Sequence, residues 1–311
     1  MIIKDIKIKK TSKENILLFK RKNIYSIKVD KTIEILIVPN PNGKNAHQDN
    51  VGIILEENTI LKILSKRYKK VSITNIKNKK DLQKLVKRKP DLVFSGVKYF
   101  LFGKEKIWLN NYLEIYKIPY IASSKSALDN ESDKNKAKKI IRLAKIKTAD
   151  FFTTYPNEHL NTKTIPISFP LFIKPIKGGD SRGIDSNSIV HNFDSFKKKV
   201  LEIKKNHNLT SIAETYLTGR EYSVGILEDS ISGILRALPV EIIVKKDING
   251  HSILDFNIKK NDEEKVIAVK DIKIFNKISK LAKESFKALG GKSLGRIDIK
   301  MNSQGTPCFM E

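Results

Sequence analysis

At 311 residues, 40% hydrophobic and 30% charged, the chain is long enough for two or three cores and too apolar for wholesale disorder. Its single cysteine, Cys308, excludes an intrachain disulfide; MIIKDIKIKK lacks the apolar core of a signal peptide, and no apolar run reaches the ~18 residues of a membrane span, so a cytoplasmic protein without a membrane partner is expected. The net charge of +26 favours anionic ligands, but only eight basic residues are Arg and the lysines are spread along the whole chain, so a nucleic-acid partner fits poorly and compositional bias is the preferred reading.

Residues 1–30 are basic and weakly patterned, an extension with one strand at NIYSIKV. From 31 to 124 strands and helices alternate. IEILIV (33–38) is a continuous apolar run, as in a strand covered on both faces, and PNPNG follows as a loop. NVGIILEENTILKILSKRY has helical spacing, VSITNI (71–76) is a strand, and DLQKLVKRK is a short helix with Asp81 as its cap. DLVFSGV (91–97), IWLNNYLEIYK and PYIAS (119–123) read as strand, helix and strand. Alternation of this kind gives an α/β domain with a parallel, Rossmann-like sheet. Neither G-x-G-x-x-G nor G-x-x-x-x-G-K-[ST] is present, so a dinucleotide or P-loop cradle is excluded.

From 125 to 311 the pattern becomes α+β, in two lobes, roughly 125–212 and 213–311. A Lys-rich helix runs from Asp133. The strands FFTT and LFIKPI, the loop KGGDSRGI and a strand at SIVHN follow. A helix at NFDSFKKKVLEIKKN takes Asp194 as its cap. SIAETYL and EYSVGIL are strands joined by TGR; ILRALPVEIIV and SILDFNIK are further strands. A long helix ends at Gly290, and two short strands close the chain.

Three pieces carry chemistry. In GRIDIKM, alternation puts Arg296, Asp298 and Lys300 on one face. A two-residue turn at Gln304-Gly305 sets Asp298 opposite Glu311, and two carboxylates that close invite a divalent cation. Two solvated acids on an edge hairpin are the bland alternative. In KPIKGGDSRG, Lys174 sits inside an apolar strand and requires an anionic partner. Gly178, Gly179 and Gly183, with Asp180 and Ser181 between them, make a mobile loop able to fold over phosphates, or simply a flexible hairpin. In AETYLTGREYSVGIL, Glu214 and Glu221 bracket a strand–turn–strand suited to an adenine nucleoside, or to nothing more than an exposed hairpin.

In this order and at these spacings, the pieces resemble the ATP-grasp superfamily, and within it the D-alanine–D-alanine ligases, from about Asp91 to Glu311. The resemblance implies a two-lobed ATP-grasp domain behind the Rossmann-like one. Lys134 and Lys174 look like the phosphate lysines, with Gly178, Gly179 and Ser181 in the loop over the phosphates. Glu214, Tyr216 and Leu217 match the adenine-binding segment, Glu221 matches the ribose acid, and Met310 lines the nucleotide. Lys259 matches a further phosphate lysine. Arg296, Lys259 and Ser181 carry the implied catalytic roles, and Asp298 and Glu311 hold Mg²⁺ or Mn²⁺. The implied reaction joins a carboxylate to an amine through an acyl phosphate. Its partners are ATP and a small amino acid or peptide, and self-association runs through the N-terminal domain.

Several positions depart from the family. PNPNGKNAHQDN shows no equivalent of the family's substrate-binding Glu, Asp180 stands where its loop serine falls, and Lys260 stands in place of a tyrosine. A substrate other than D-alanine is therefore expected. The sequence stops two residues before the family's metal-binding Asn, so truncation and weak turnover are also expected. A nucleotide-binding protein without ligase turnover is the second reading, and a nucleic-acid-binding protein, on charge alone, the third.

Overall fold

The computed structural model describes residues 28–37, 56–179, 181–229, 231–245, 250–255, 258, 261 and 263–311. The expected strand at NIYSIKV lies almost wholly outside these, as does the PNPNG loop.

The first sheet is built around one continuous apolar run, IEILIV. Its members are β1 (Val29–Ile37), β2 (Tyr68–Asn75), β3 (Leu92–Ser95) and β6 (Tyr120–Ile121), all parallel, in the order β2-β1-β3-β6. Ile33, Ile35 and Leu36 of the central strand are buried, as a strand covered on both faces requires. The helices are α1 (Glu57–Leu64), α2 (Lys79–Arg88) and α3 (Leu109–Ile115). Leu82 and Leu85 of α2 and Leu113 of α3 pack with Leu36 and Val93. The buried carboxylate of Glu34 is satisfied by Arg88, through two 2.7 Å bonds, and by Thr74 at 2.7 Å.

Two local expectations fail here. Asn78, not Asp81, caps α2: its side chain accepts from Asp81 N at 3.2 Å, while Asp81 Oδ2 accepts from Lys77 N at 3.0 Å. The stretch before α3 is a hairpin, β4 (Tyr99–Phe102) and β5 (Glu105–Trp108), turning on Gly103 at φ 64°.

The rest of the chain builds two antiparallel sheets. Helix α4 (Lys125–Glu131) leads to α5 (Lys134–Leu143), which Asp133 caps as expected. The second sheet has the order β7-β10-β8-β9, from β7 (Phe151–Thr154), β8 (Leu171–Pro175), β9 (Ile189–Val190) and β10 (Ser211–Thr215). Helix α6 (Phe193–His207) covers it with Phe196, Val200 and Ile203. Its cap is Asn192, in a reciprocal box with Ser195, so Asp194 is already inside the helix. The third sheet has the order β13-β12-β11-β14-β15. Its strands are β11 (Glu221–Glu228), β12 (Leu235–Ile243), β13 (Lys265–Ala268), β14 (Leu294–Met301) and β15 (Pro307–Phe309). Helix α7 (Ile272–Ala288) buries Ile278, Ala282 and Phe286 against it. The strand expected at SILDFNIK is absent from residues 250–255, which are irregular. No helix among the described residues is long and apolar enough to cross a membrane.

Residues 216–220 join the second sheet to the third. Gly219 N donates to Met301 O at 2.9 Å, and a Cβ on Gly219 would meet Met301 Cβ at 2.6 Å and its carbonyl oxygen at 2.7 Å. Gly219→Ala therefore forces the turn off β14. We expect it to lower stability by about 1–3 kcal/mol in urea unfolding, with Gly225→Ala, whose added Cβ would make only an ordinary 3.7 Å contact with Leu238 Cβ, as the control.

Candidate functional site

Lys174 sits in the apolar strand β8, where an unpaired ammonium would be costly. Its partner comes from the neighbouring strand. Ile212 lies opposite Lys174 and Glu214 opposite Phe172, so Lys174 and Glu214 are diagonal neighbours on one face. Lys174 Nζ lies 3.2 Å from Glu214 Oε1. Lys138, one turn after Lys134 in α5, brings its Nζ to 3.3 Å from Glu214 Oε2. It also donates a 2.7 Å bond to Thr148 Oγ1, and Thr148 Oγ1 donates to Phe309 O at 2.8 Å.

All three ionised side chains are buried. Burial pushes the Lys138 ammonium down to about 8, against the pull of Glu214. Burial also opposes the charges on Lys174 and Glu214, but there it is outweighed. The carboxylates of Glu214, Glu311 and Glu221 hold Lys174 above its ordinary value, and Lys138 and Lys174 hold Glu214 below its own.

The glycine loop begins beside this cluster. Lys134 Nζ donates to Gly178 O and lies 3.7 Å from Glu311 Oε1. Ser181, at φ 56°, donates its hydroxyl to Leu254 O at 2.8 Å. Gly183 is required by space, since a Cβ there would come within 2.7 Å of Pro175 Cγ, whereas Gly179 has open space around it. The loop expected to be mobile is tied through Gly178 and Ser181. Asp180 lies outside the described residues, as does Lys259.

Tyr216 and Leu217 follow β10, half-buried. The Tyr216 ring stacks on Phe172 at 6.5 Å and meets the His251 ring edge-on at 5.5 Å. Glu221 and Lys300 face each other across β11 and β14, with a 2.9 Å bond from Lys300 Nζ to Glu221 Oε2. Lys300 Nζ also donates to Ser252 O at 3.1 Å.

On the same face, Ser223 Oγ donates to Asp298 Oδ1 at 2.8 Å and Arg296 Nη2 to Oδ2 at 2.9 Å. Burial nevertheless raises the Asp298 carboxyl above its usual range, against Arg296 and Ser223. The terminal turn is not the expected one. Ile299 pairs with Phe309 and Met301 with Pro307, and Asn302 N bonds to Thr306 O, so three residues turn where two were expected. In that register Met310 opposes Asp298, and Glu311 would fall on the buried face beside Ile297. A β-bulge prevents this: Met310 N and Glu311 N reach Asp298 O at 2.9 and 3.5 Å, while Asp298 N donates to Glu311 O at 2.9 Å. Both Met310 and Glu311 therefore oppose Asp298, and the expected pair is reached by a different route.

Sequence reasoning overlooked Lys138 and Thr148, and noted Lys300 only as a face-mate of Asp298. Spacing held a signal for Lys138, which lies between Ala137 and Ile141 on the buried stripe of α5. Among the described residues, no three His, Cys, Asp or Glu side chains are grouped to hold a metal by themselves.

Residues 135–311 match the family model described as D-ala D-ala ligase C-terminus. The D-alanine--D-alanine ligase of Aquifex aeolicus is 32% identical over 232 residues, covering 73% of each chain. The D-alanine--D-alanine ligase A of Bacillus cereus is 28% identical over 271 residues, 86% of this chain and 83% of its own. The crystal structure of D-alanine--D-alanine ligase from Bacillus anthracis complexed with ATP matches with a TM-score of 0.61 and 22% identity, over 90% of this chain and 85% of that one. The VanG D-Ala:D-Ser ligase from Enterococcus faecalis gives 0.61 and 19%, over 91% and 90%. At such identities the two structures speak to fold alone.

Glu214→Gln leaves two buried ammoniums without a carboxylate. We expect a loss of about 3–5 kcal/mol in urea unfolding at pH 7. A carboxyl held below its ordinary value stabilises the fold fully above that value, 4.5 for Glu, and less as pH falls through the lowered one. The wild type should therefore lose stability below about pH 4.5 more steeply than the variant, as read by denaturation midpoints across pH.

Proposed function

The chain belongs to the D-alanine–D-alanine ligase family of ATP-grasp carbon–nitrogen ligases, and from that membership we propose that it joins a carboxylate to an amine using ATP, with a substrate pair other than two D-alanines. The observation that carries this reading is the 3.7 Å approach of Lys134 Nζ to Glu311 Oε1. It joins a lysine on one side of a shared site to an acid on the terminal strand. Triphosphate and cation would sit between such groups.

The chain's own residues then divide the work. Lys134 and Lys174 neutralise phosphate oxygens, and the backbone of Gly178 and Gly179 lies over them. Tyr216, Leu217 and Met310 line the nucleoside, and Glu221, held by Lys300, takes the ribose hydroxyls. A substrate carboxylate oxygen attacks the γ-phosphorus and ADP leaves. The amine nitrogen then attacks the acyl carbon, the C–O bond to phosphate breaks, and phosphate leaves as the nitrogen loses a proton. Arg296 stabilises the developing oxyanion, while Ser181 and Lys259 hold substrate and phosphate.

Asp298 and Glu311 fit a divalent cation. Two hard carboxylates share a face, burial raises the one on Asp298, and such a pair suits an ion that completes its shell with phosphate and water oxygens. Bound Mg²⁺ or Mn²⁺ would neutralise charge on the transferring phosphoryl group. The changed substrate rests on sequence: Asp180, Lys260 and the missing Glu equivalent in PNPNGKNAHQDN. The fold is shared with a D-Ala:D-Ser ligase, so it also accommodates a pair other than two D-alanines. We place the reaction in the cytoplasm and any self-association in residues 31–124.

ADP release from Mg-ATP, screened over D- and L-amino acids and dipeptides, should rise with a specific pair. ATP binding with no stimulated release by any of them would replace the ligase reading by a nucleotide-binding one. Lys174→Ala should lower turnover about a hundredfold or more; full retention contradicts its assigned role. Mg²⁺ with ADP should raise the melting temperature of the wild type and raise it less in Asp298→Asn, a thermal readout independent of turnover.

A further inference from the structure

Lys138 has no part in the reading above, yet its side chain is 0% exposed. Ala137 and Ile141 flank it on the buried stripe of α5, where an apolar residue would pack at lower cost, since replacing a buried ion pair with packed apolar groups is often neutral or stabilising. Packing does not account for a lysine here, but charge does. Lys138, Lys174 and Glu214 together carry one net positive charge; without Lys138 the remaining pair is neutral. The contact geometry agrees. Glu214 is divided between the two lysines, with Lys138 Nζ 3.3 Å from Oε2 and Lys174 Nζ 3.2 Å from Oε1.

We propose that Lys138 is a positioning residue: it neutralises Glu214 at Oε2, so that Lys174 keeps its net charge for a polyphosphate, and through Thr148 it ties this cluster to the strand that leads to Glu311. The inference rests on the nucleotide-binding reading given above. The groups facing Lys138 are Glu214 on β10, Lys174 on β8, Thr148 and the Phe151 ring before and in β7, and Cys308 on β15 with Glu311 beyond it. Lys134 lies one turn back on the same helix.

The test is equilibrium binding of ATP, ADP and adenosine, with Mg²⁺, to the full chain as wild type, Lys138→Met, and Lys138→Met combined with Glu214→Gln. Lys138→Met should weaken ATP and ADP about tenfold to a hundredfold and leave adenosine unchanged. The double variant regains a net charge of one through Lys174 alone and should recover most of the ATP affinity, a rescue that a purely structural role would not produce. Unchanged ATP affinity in Lys138→Met, or equal losses for ATP and adenosine, overturns the proposal. If Lys138→Met does not fold, Lys138→Gln, which keeps a polar tip for Thr148 and loses the charge, decides by the same comparison of ATP with adenosine. A wild type that binds neither ATP nor ADP overturns the nucleotide reading, and this inference with it.

Discussion

Glu214 is a carboxylate shut away from water, and a charge in that position must be matched by cations close by. Lys174 supplies one from the next strand and Lys138 another from α5. Meeting that need fixes much else. It holds the N-terminal half of α5 against the second sheet. It commits Lys138 to Thr148, and Thr148 to the carbonyl of Phe309. A single buried acid thereby links α5, the second sheet and the last strand of the third.

The acidic end of the site is governed by counting instead of charge. Phe309 must face the core beside Ile299, and that requirement selects a three-residue turn over a two-residue one. Taken alone, the choice would drive Glu311 toward the apolar side of the sheet. One bulge returns it to Asp298, so burial of an aromatic ring and exposure of an acid two residues later are both met. Lys134 then reaches Glu311 from the start of α5, and Arg296 and Ser223 hold Asp298 from either side.

Much of this was legible in the sequence. The apolar run IEILIV located the central parallel strand, and the lysine inside FIKPI announced a buried anion that the structure identifies as Glu214. What escaped was set by distant or subtle terms. The β4–β5 hairpin hid within one aromatic-rich stretch whose only punctuation is Gly103. Both mistaken caps chose an Asp already inside a helix over the Asn that precedes it, because Asn and Asp cap about equally well and local geometry decides between them. Lys138 does not stand out in a Lys-rich helix, although its neighbours Ala137 and Ile141 mark it as inward. The Glu221–Lys300 pair depends on strands separated by more than seventy residues, a pairing that no local pattern encodes.

The contacts between the two antiparallel sheets are unequal around their border. Along one edge the backbone itself is fastened, Gly219 to Met301 and Lys147 to Phe309, with no room for an added methyl at the first of these. Near residues 250–255 the contact runs through a side chain, Ser181 to Leu254. Side-chain contacts can let go and re-form at little cost, whereas a packed turn cannot stretch. Bonded backbone to backbone at Gly219 and Phe309, the two sheets are least free to separate along that edge.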